Sequence, residues 1–128
     1  MLAPDTITGT RVVALPAAID ACVSALPSTM SALRFAPDEV FLFGKGQIEL
    51  DDEYAIVERE VGFSAFRFSP PQFEQLVAHR IEWTLPTSRP ALAQGRLLAV
   101  PVKIWLTDEQ VLLLCPTAFV HELQERIR

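Results

Sequence analysis

Phe63-Ser64-Ala65-Phe66-Arg67-Phe68-Ser69-Pro70-Pro71-Gln72 reads as a strand that runs directly into a helix. Ser64, Phe66 and Phe68 fall on one side of the strand, with Phe63, Ala65 and Arg67 on the other, as the two-residue period of a pleated backbone requires. Ser69 then supplies a helix cap, Pro70 fits the first helical position, and Gln72 is placed to reach back in a capping box. Phe73, Leu76 and Val77 are the expected buried face of that helix. A helix that follows a half-apolar strand this closely covers the sheet the strand belongs to.

Downstream, Thr84 to Gln94 reads as a loop rich in proline and small polar residues, closed by Gly95. The alternation of Leu98, Val100, Val102, Ile104 and Leu106 predicts one strand over 96–106, with Pro101 marking an edge or a bulge. Thr107-Asp108-Glu109-Gln110 is a turn into a strand over 111–115. Pro116-Thr117 starts a last helix, with Phe119, Val120, Leu123 and Ile127 inward. Upstream, the pattern predicts a strand over 11–15 and a helix from Pro16 that ends at Pro27. In that helix Ile19, Cys22, Val23 and Leu26 line one face. Two short strands over 32–35 and 40–43 flank the turn Ala36-Pro37-Asp38-Glu39. Residues 1–10, with Pro4, Thr6, Thr8 and Gly9, read as a flexible N-terminus. Each half of the chain, 11–46 and 55–128, thus reads strand, helix, strand, strand. The expected fold class is α+β: a single domain over 11–128, built of two split βαβ-like (ferredoxin-like) units, with helices packed on a mainly antiparallel sheet.

The chain has 128 residues, half of them hydrophobic, which is enough for one core and too apolar for disorder. Net charge is −5 and the 11 basic residues are scattered, so no nucleic-acid-binding stripe exists. The longest apolar block, 97–106, is too short to span a bilayer, and no signal-peptide pattern opens the chain. Cys22 and Cys115 sit in apolar runs and read as small buried hydrophobes, so a reducing, cytoplasmic setting is expected.

Chemistry-bearing constellations are weak. His79 and His121 have no partner at ligand spacing. Neither cysteine has a signalled base. Glu58 and Glu60 share a strand face, where a solvated surface is the plain reading, and the acidic run Glu49, Asp51, Asp52, Glu53 reads as a solvated loop or helix start. Gly44-Lys45-Gly46 is too short for a phosphate loop, and the five glycines never reach a dinucleotide fingerprint. No catalytic, cofactor-binding or metal-ligating residue is therefore assigned. Trp83 and Trp105 stand out instead, as aromatics that mark either core or a protein interface.

The segment order resembles the gamma-subunit family of heterotetrameric sarcosine oxidase, itself similar to part of the aminomethyltransferase (T-protein) fold of the glycine cleavage system. Leu33-Arg34-Phe35-Ala36-Pro37-Asp38-Glu39-Val40-Phe41-Leu42-Phe43-Gly44 resembles the family's strand, turn and second strand. Phe66-Arg67-Phe68-Ser69-Pro70-Pro71 resembles its strand entering a helix, with Pro70 where the family commonly has Gly. Trp83-Thr84-Leu85-Pro86 stands where the family often has Leu-Asp-Leu. Cys115-Pro116-Thr117-Ala118-Phe119, followed by Leu123, resembles the closing Pro-Arg-Ser-Phe helix, with Thr117 in the place of Arg.

The resemblance implies a non-catalytic accessory subunit of a complex that oxidises N-methyl amino acids. FAD, FMN, NAD and tetrahydrofolate would then belong to larger partner subunits. The expected contact with those subunits comprises Phe63, Trp83, Thr84, Leu85, Arg89 and Trp105. A homodimer is left open for the isolated chain. Two other readings stand beside this one. The first is a stand-alone binding or chaperone-like protein, disfavoured by the absence of a helix at the start. The second is a small folate-binding aminomethyltransferase-like protein, which requires a pocket with a carboxylate beside aromatics.

Overall fold

The computed structural model of the chain describes residues 3–128. The elements follow in the order β1 (Asp5–Val13), α1 (Pro16–Ser24), β2 (Met30–Ala36), β3 (Glu39–Gly44), β4 (Ile56–Phe68), α2 (Pro70–Leu76), β5 (Ala91–Leu97), β6 (Val100–Leu106), β7 (Val111–Pro116) and α3 (Val120–Ile127). The strands hydrogen-bond in the order β2-β3-β1-β4-β7-β6-β5, a seven-stranded sheet. The ladders β1–β3, β2–β3, β4–β7, β5–β6 and β6–β7 are all antiparallel. The α+β class with helices on an antiparallel sheet is the one the hydrophobic pattern predicts.

The fold divides into two compact units, Thr8–Val61 and Gly62–Arg128, the second joined by the chain up to Ile7. The border lies within β4, whereas the sequence suggests halves of 11–46 and 55–128. In the first unit, Ile19 and Cys22 of α1 pack on Val12, Ala14, Val40 and Leu42, with Val23 and Leu26 half-buried beside them. In the second, Phe73 and Val77 from the α2 segment and Val120, Leu123 and Ile127 from α3 pack on Phe66, Phe68, Ile104 and Leu113 of the sheet. Each of these helices buries one stripe, as an amphipathic helix on a sheet must. Leu76 and Phe119, expected inward, are exposed (39% and 41%). Leu76 is the last residue of α2, and Phe119 lies in the 3-10 turn Thr117–Phe119 before α3, where the α-helical period does not apply.

Two expectations are corrected. The stretch 1–10, read as flexible, contains β1 from Asp5 onward, and Ile7 on it is buried; positions 1 and 2 lie outside the described residues. Gly9 there is not a source of flexibility. A Cβ at this position would collide with Leu42 O and meet the Phe41 ring at 2.7 Å, so glycine lets neighbouring β3 approach closely.

The single strand expected over 96–106 is a hairpin, and β5 begins inside the segment read as a loop. Leu97 pairs with Val100, so the turn is Leu98-Ala99, with φ of 51° and 69°. These left-handed values belong to a two-residue hairpin turn that normally takes Asn-Gly, and neither residue advertises it. Pro101 is tolerated because the β6–β7 ladder covers only Lys103–Leu106, leaving Pro101 at a local edge.

Candidate functional site

The residues singled out from sequence are not brought to one surface. Trp83 rests against β5: a Cβ on Gly95 would sit 2.6 Å from its Cε2 and Cζ2. Its Nε1–H donates to the Arg96 carbonyl at 2.8 Å. With Leu85 it packs against the core that α2 and α3 cover, so both residues lie on the helix side of this sheet. Thr84 between them is exposed. Arg89 donates from Nη1 to Pro86 O and Ser88 O at 2.8 and 2.9 Å and so folds its own loop.

Trp105 and Lys103 alternate with the buried Val102, Ile104 and Leu106, which puts them on the other face of β6. Phe63 pairs with Pro116, and both line a shallow depression of about 160 Å³ that also touches Lys103 and Pro101. The expected set thus divides between opposite faces of the sheet. Trp83 and Leu85 serve the core, and Phe63 and Trp105 remain half-exposed.

Of the titratable groups singled out from sequence, Cys22 and Cys115 are both buried and unbridged. Burial pushes the Cys115 thiol up to about 11 and also raises that of Cys22, the opposite of what a nucleophile needs. His79 and His121 are exposed, and among the described residues no three His, Cys, Asp or Glu side chains converge as metal ligands. Glu58 lies 3.6 Å from Arg11, which also donates to Glu39 at 2.8 Å, so the carboxylate serves a surface ion-pair network. The hydrogen bond that Arg11 donates to Glu39, and the charge of that carboxylate, raise the Arg11 pKa.

A groove that the sequence does not signal lies in the first unit. It has a volume of about 660 Å³. Leu15 and Pro16 at the entry to α1 form one wall, Pro37 and Asp38 of the β2–β3 turn another, and Asp52, Tyr54 and Ile56 leading into β4 the third. Hydrogen bonds fix all three. Arg34 donates from Nη2 to Pro16 O at 3.4 Å and to Pro37 O at 2.5 Å, and from Nη1 to Asp20 Oδ1 at 2.7 Å. Asp52 accepts the Leu15 N–H on Oδ2 and the Tyr54 N–H on Oδ1, each at 3.0 Å. Ala14 N–H donates to Asp38 O at 3.0 Å.

The side chains left on the rim are large and apolar: Leu15 is 67% exposed, Tyr54 85% and Ile56 49%. The groove sets a carboxylate beside an aromatic ring, the arrangement a folate site would need. Each Asp52 oxygen accepts one backbone N–H, and Tyr54, although it lines the groove, is 85% exposed, so its ring is not enclosed in the way a stacked ligand's wall normally is.

No protein-family model matches the chain, and no curated protein matches it in sequence. Among solved structures it is similar to a chain of the heterotetrameric sarcosine oxidase from Corynebacterium sp. U-96, solved in complex with pyrrole 2-carboxylate. The TM-score is 0.75 at 15% identity, covering 99% of this chain and 80% of that one. This chain spans about four fifths of the matched chain's length, and the two share their fold over that stretch.

Proposed function

We propose that the chain is an accessory, non-catalytic subunit of a heteromeric sarcosine-oxidase-like complex that oxidises N-methyl amino acids. The observation that carries the reading is the match of nearly the whole chain to a chain of such a heterotetramer. It is supported by the chemistry of the surface. Both thiols are buried and held protonated, the exposed histidines lack ligand partners, and a fixed groove exposes apolar side chains. An oxidation of this kind uses a two-electron acceptor such as a flavin, and tetrahydrofolate can take up the one-carbon unit. On this reading FAD, FMN, NAD and tetrahydrofolate are held by the larger subunits, in a soluble cytoplasmic complex. No helix among the described residues is long and apolar enough to cross a membrane, which accords with that placement.

The test is affinity purification of the tagged chain from its native host. Larger flavin-bearing subunits should co-purify, and the complex should consume oxygen when given sarcosine. Recovery of the chain without any flavoprotein would refute the reading.

A further inference from the structure

We infer that the groove walled by Leu15, Pro37 and Tyr54 receives the larger partner subunit, which inserts an apolar side chain flanked by lysine or arginine. This rests on the subunit reading above and specifies where the contact lies.

Three observations lead to it. First, the groove is built in advance. Arg34 ties the α1 entry to the β2–β3 turn, and Asp52 ties that entry to the segment before β4. A surface fixed before binding loses little conformational entropy when it binds. Second, the fixed backbone displays Leu15, Tyr54 and Ile56 to solvent, although two of them sit in short, hydrogen-bonded turns that polar residues would fill equally well. Clustered exposed apolar side chains around a concavity mark an interaction site, and a tyrosine at its rim is a typical anchor.

Third, the charge around the groove is mainly negative. Asp38 and Asp52 stand in its walls, and Asp51 and Glu53 are exposed beside them. The nearby cation, Arg34, is paired with Asp20. A partner with a basic flank gains complementarity there. A second copy of this chain does not. Two-fold pairing through one patch sets each acidic rim against its own copy, in a chain of net charge −5.

The test uses the tagged chain in its native host, comparing wild type with the variant Leu15→Glu/Tyr54→Glu. Both side chains are exposed, so circular dichroism and thermal unfolding of the purified variant should match wild type. Recovery of the larger subunits should fall by on the order of tenfold or more, whereas Gln75→Ala, at an exposed α2 position that does not line the groove, should leave it within about twofold. Asp38→Lys alone should also lower recovery, and the wild-type interaction should weaken with added salt.

If wild type brings down no larger subunit, the subunit reading fails and this inference with it. If wild type brings them down and the folded double variant does so equally, the groove assignment alone is overturned. It is likewise overturned if the isolated wild-type chain is a dimer that Leu15→Glu converts to a monomer.

Discussion

Replacing Gly95 by alanine tests the reading of Trp83 as a lid on the core. Gly95 has no left-handed backbone angle, so alanine is conformationally acceptable there, and the lower entropy of the unfolded chain favours it by about 0.5–1 kcal/mol. The obstacle is the indole. A new Cβ would lie 2.6 Å from Cε2 and Cζ2 and 3.0 Å from Nε1 of Trp83. The ring must lift, which strains the packing by about 1–3 kcal/mol and breaks the hydrogen bond to Arg96 O, worth about 1 kcal/mol. The net destabilisation is about 1–3.5 kcal/mol after the entropic gain, enough to lower Tm by roughly 5–15 °C in a chain of this size.

The decisive form is a double-mutant cycle followed by far-ultraviolet circular dichroism in urea. In a Trp83→Ala background the clash is gone, and Gly95→Ala should become neutral or stabilising by about 0.5 kcal/mol. The coupling between the two positions should thus reach about 1–4 kcal/mol. Equal costs for Gly95→Ala in the two backgrounds would show that the ring does not rest on this strand. Trp83 would then return as a candidate for partner contact.

Other consequences can be measured on the same material. Ala99→Gly relieves a left-handed residue in the Leu98-Ala99 turn and should stabilise the protein by about 1 kcal/mol, seen as a rise of a few degrees in Tm; a fall would contradict the hairpin geometry. Cys115 predicts an alkaline limit. Its folded thiol titrates at about 11 and an unfolded thiol near 8.5, so between these values the unfolded state has already released the proton that the folded state keeps. Stability is therefore complete below about pH 8.5 and falls by about 3 kcal/mol as the pH rises to about 11. Urea midpoints measured across that window should show a smaller loss in Cys115→Ala than in wild type. The same slope in both proteins would remove the thiol as its cause.

The parts of the fold legible in the sequence are those where local chemistry and burial agree. Ser69 accepts the Gln72 N–H at 3.3 Å, and Gln72 Oε1 accepts the Ser69 N–H at 2.9 Å, so the capping box read from four letters is present in full. Phe66, Phe68 and Phe73 are buried as their spacing requires. Legibility fails where a tertiary demand replaces a local preference. Leu98 turns a hairpin because it packs against the core and its carbonyl accepts Arg126 Nη1 at 2.6 Å, not because leucine favours the left-handed region. Gly9 sits mid-strand because Phe41 and Leu42 pass over it, so a residue that normally signals a loop marks close packing.

The groove was illegible for a different reason. Its walls come from three segments that are far apart in sequence, and the residues that fix it are not those that would contact a partner. Asp52 belongs to an acidic run that reads as a solvated loop, yet both its oxygens are used to position Leu15 and Tyr54. Arg34 lies in a strand flanked by apolar residues, and its reach to Pro16 and Pro37 depends on the β2–β3 hairpin being closed. Sequence periodicity shows which residues a fold must hide; it does not show which hydrophobic residues a fold holds outward. Trp83 and Tyr54 illustrate the difference. The tryptophan whose sequence setting fits either core or interface covers a glycine on the protein's own sheet, and a tyrosine beside four acidic residues stands exposed on a rigid frame. The search for a partner surface in such a chain therefore begins with exposed apolar side chains whose backbone is fixed by buried or half-buried charges, not with its largest aromatics.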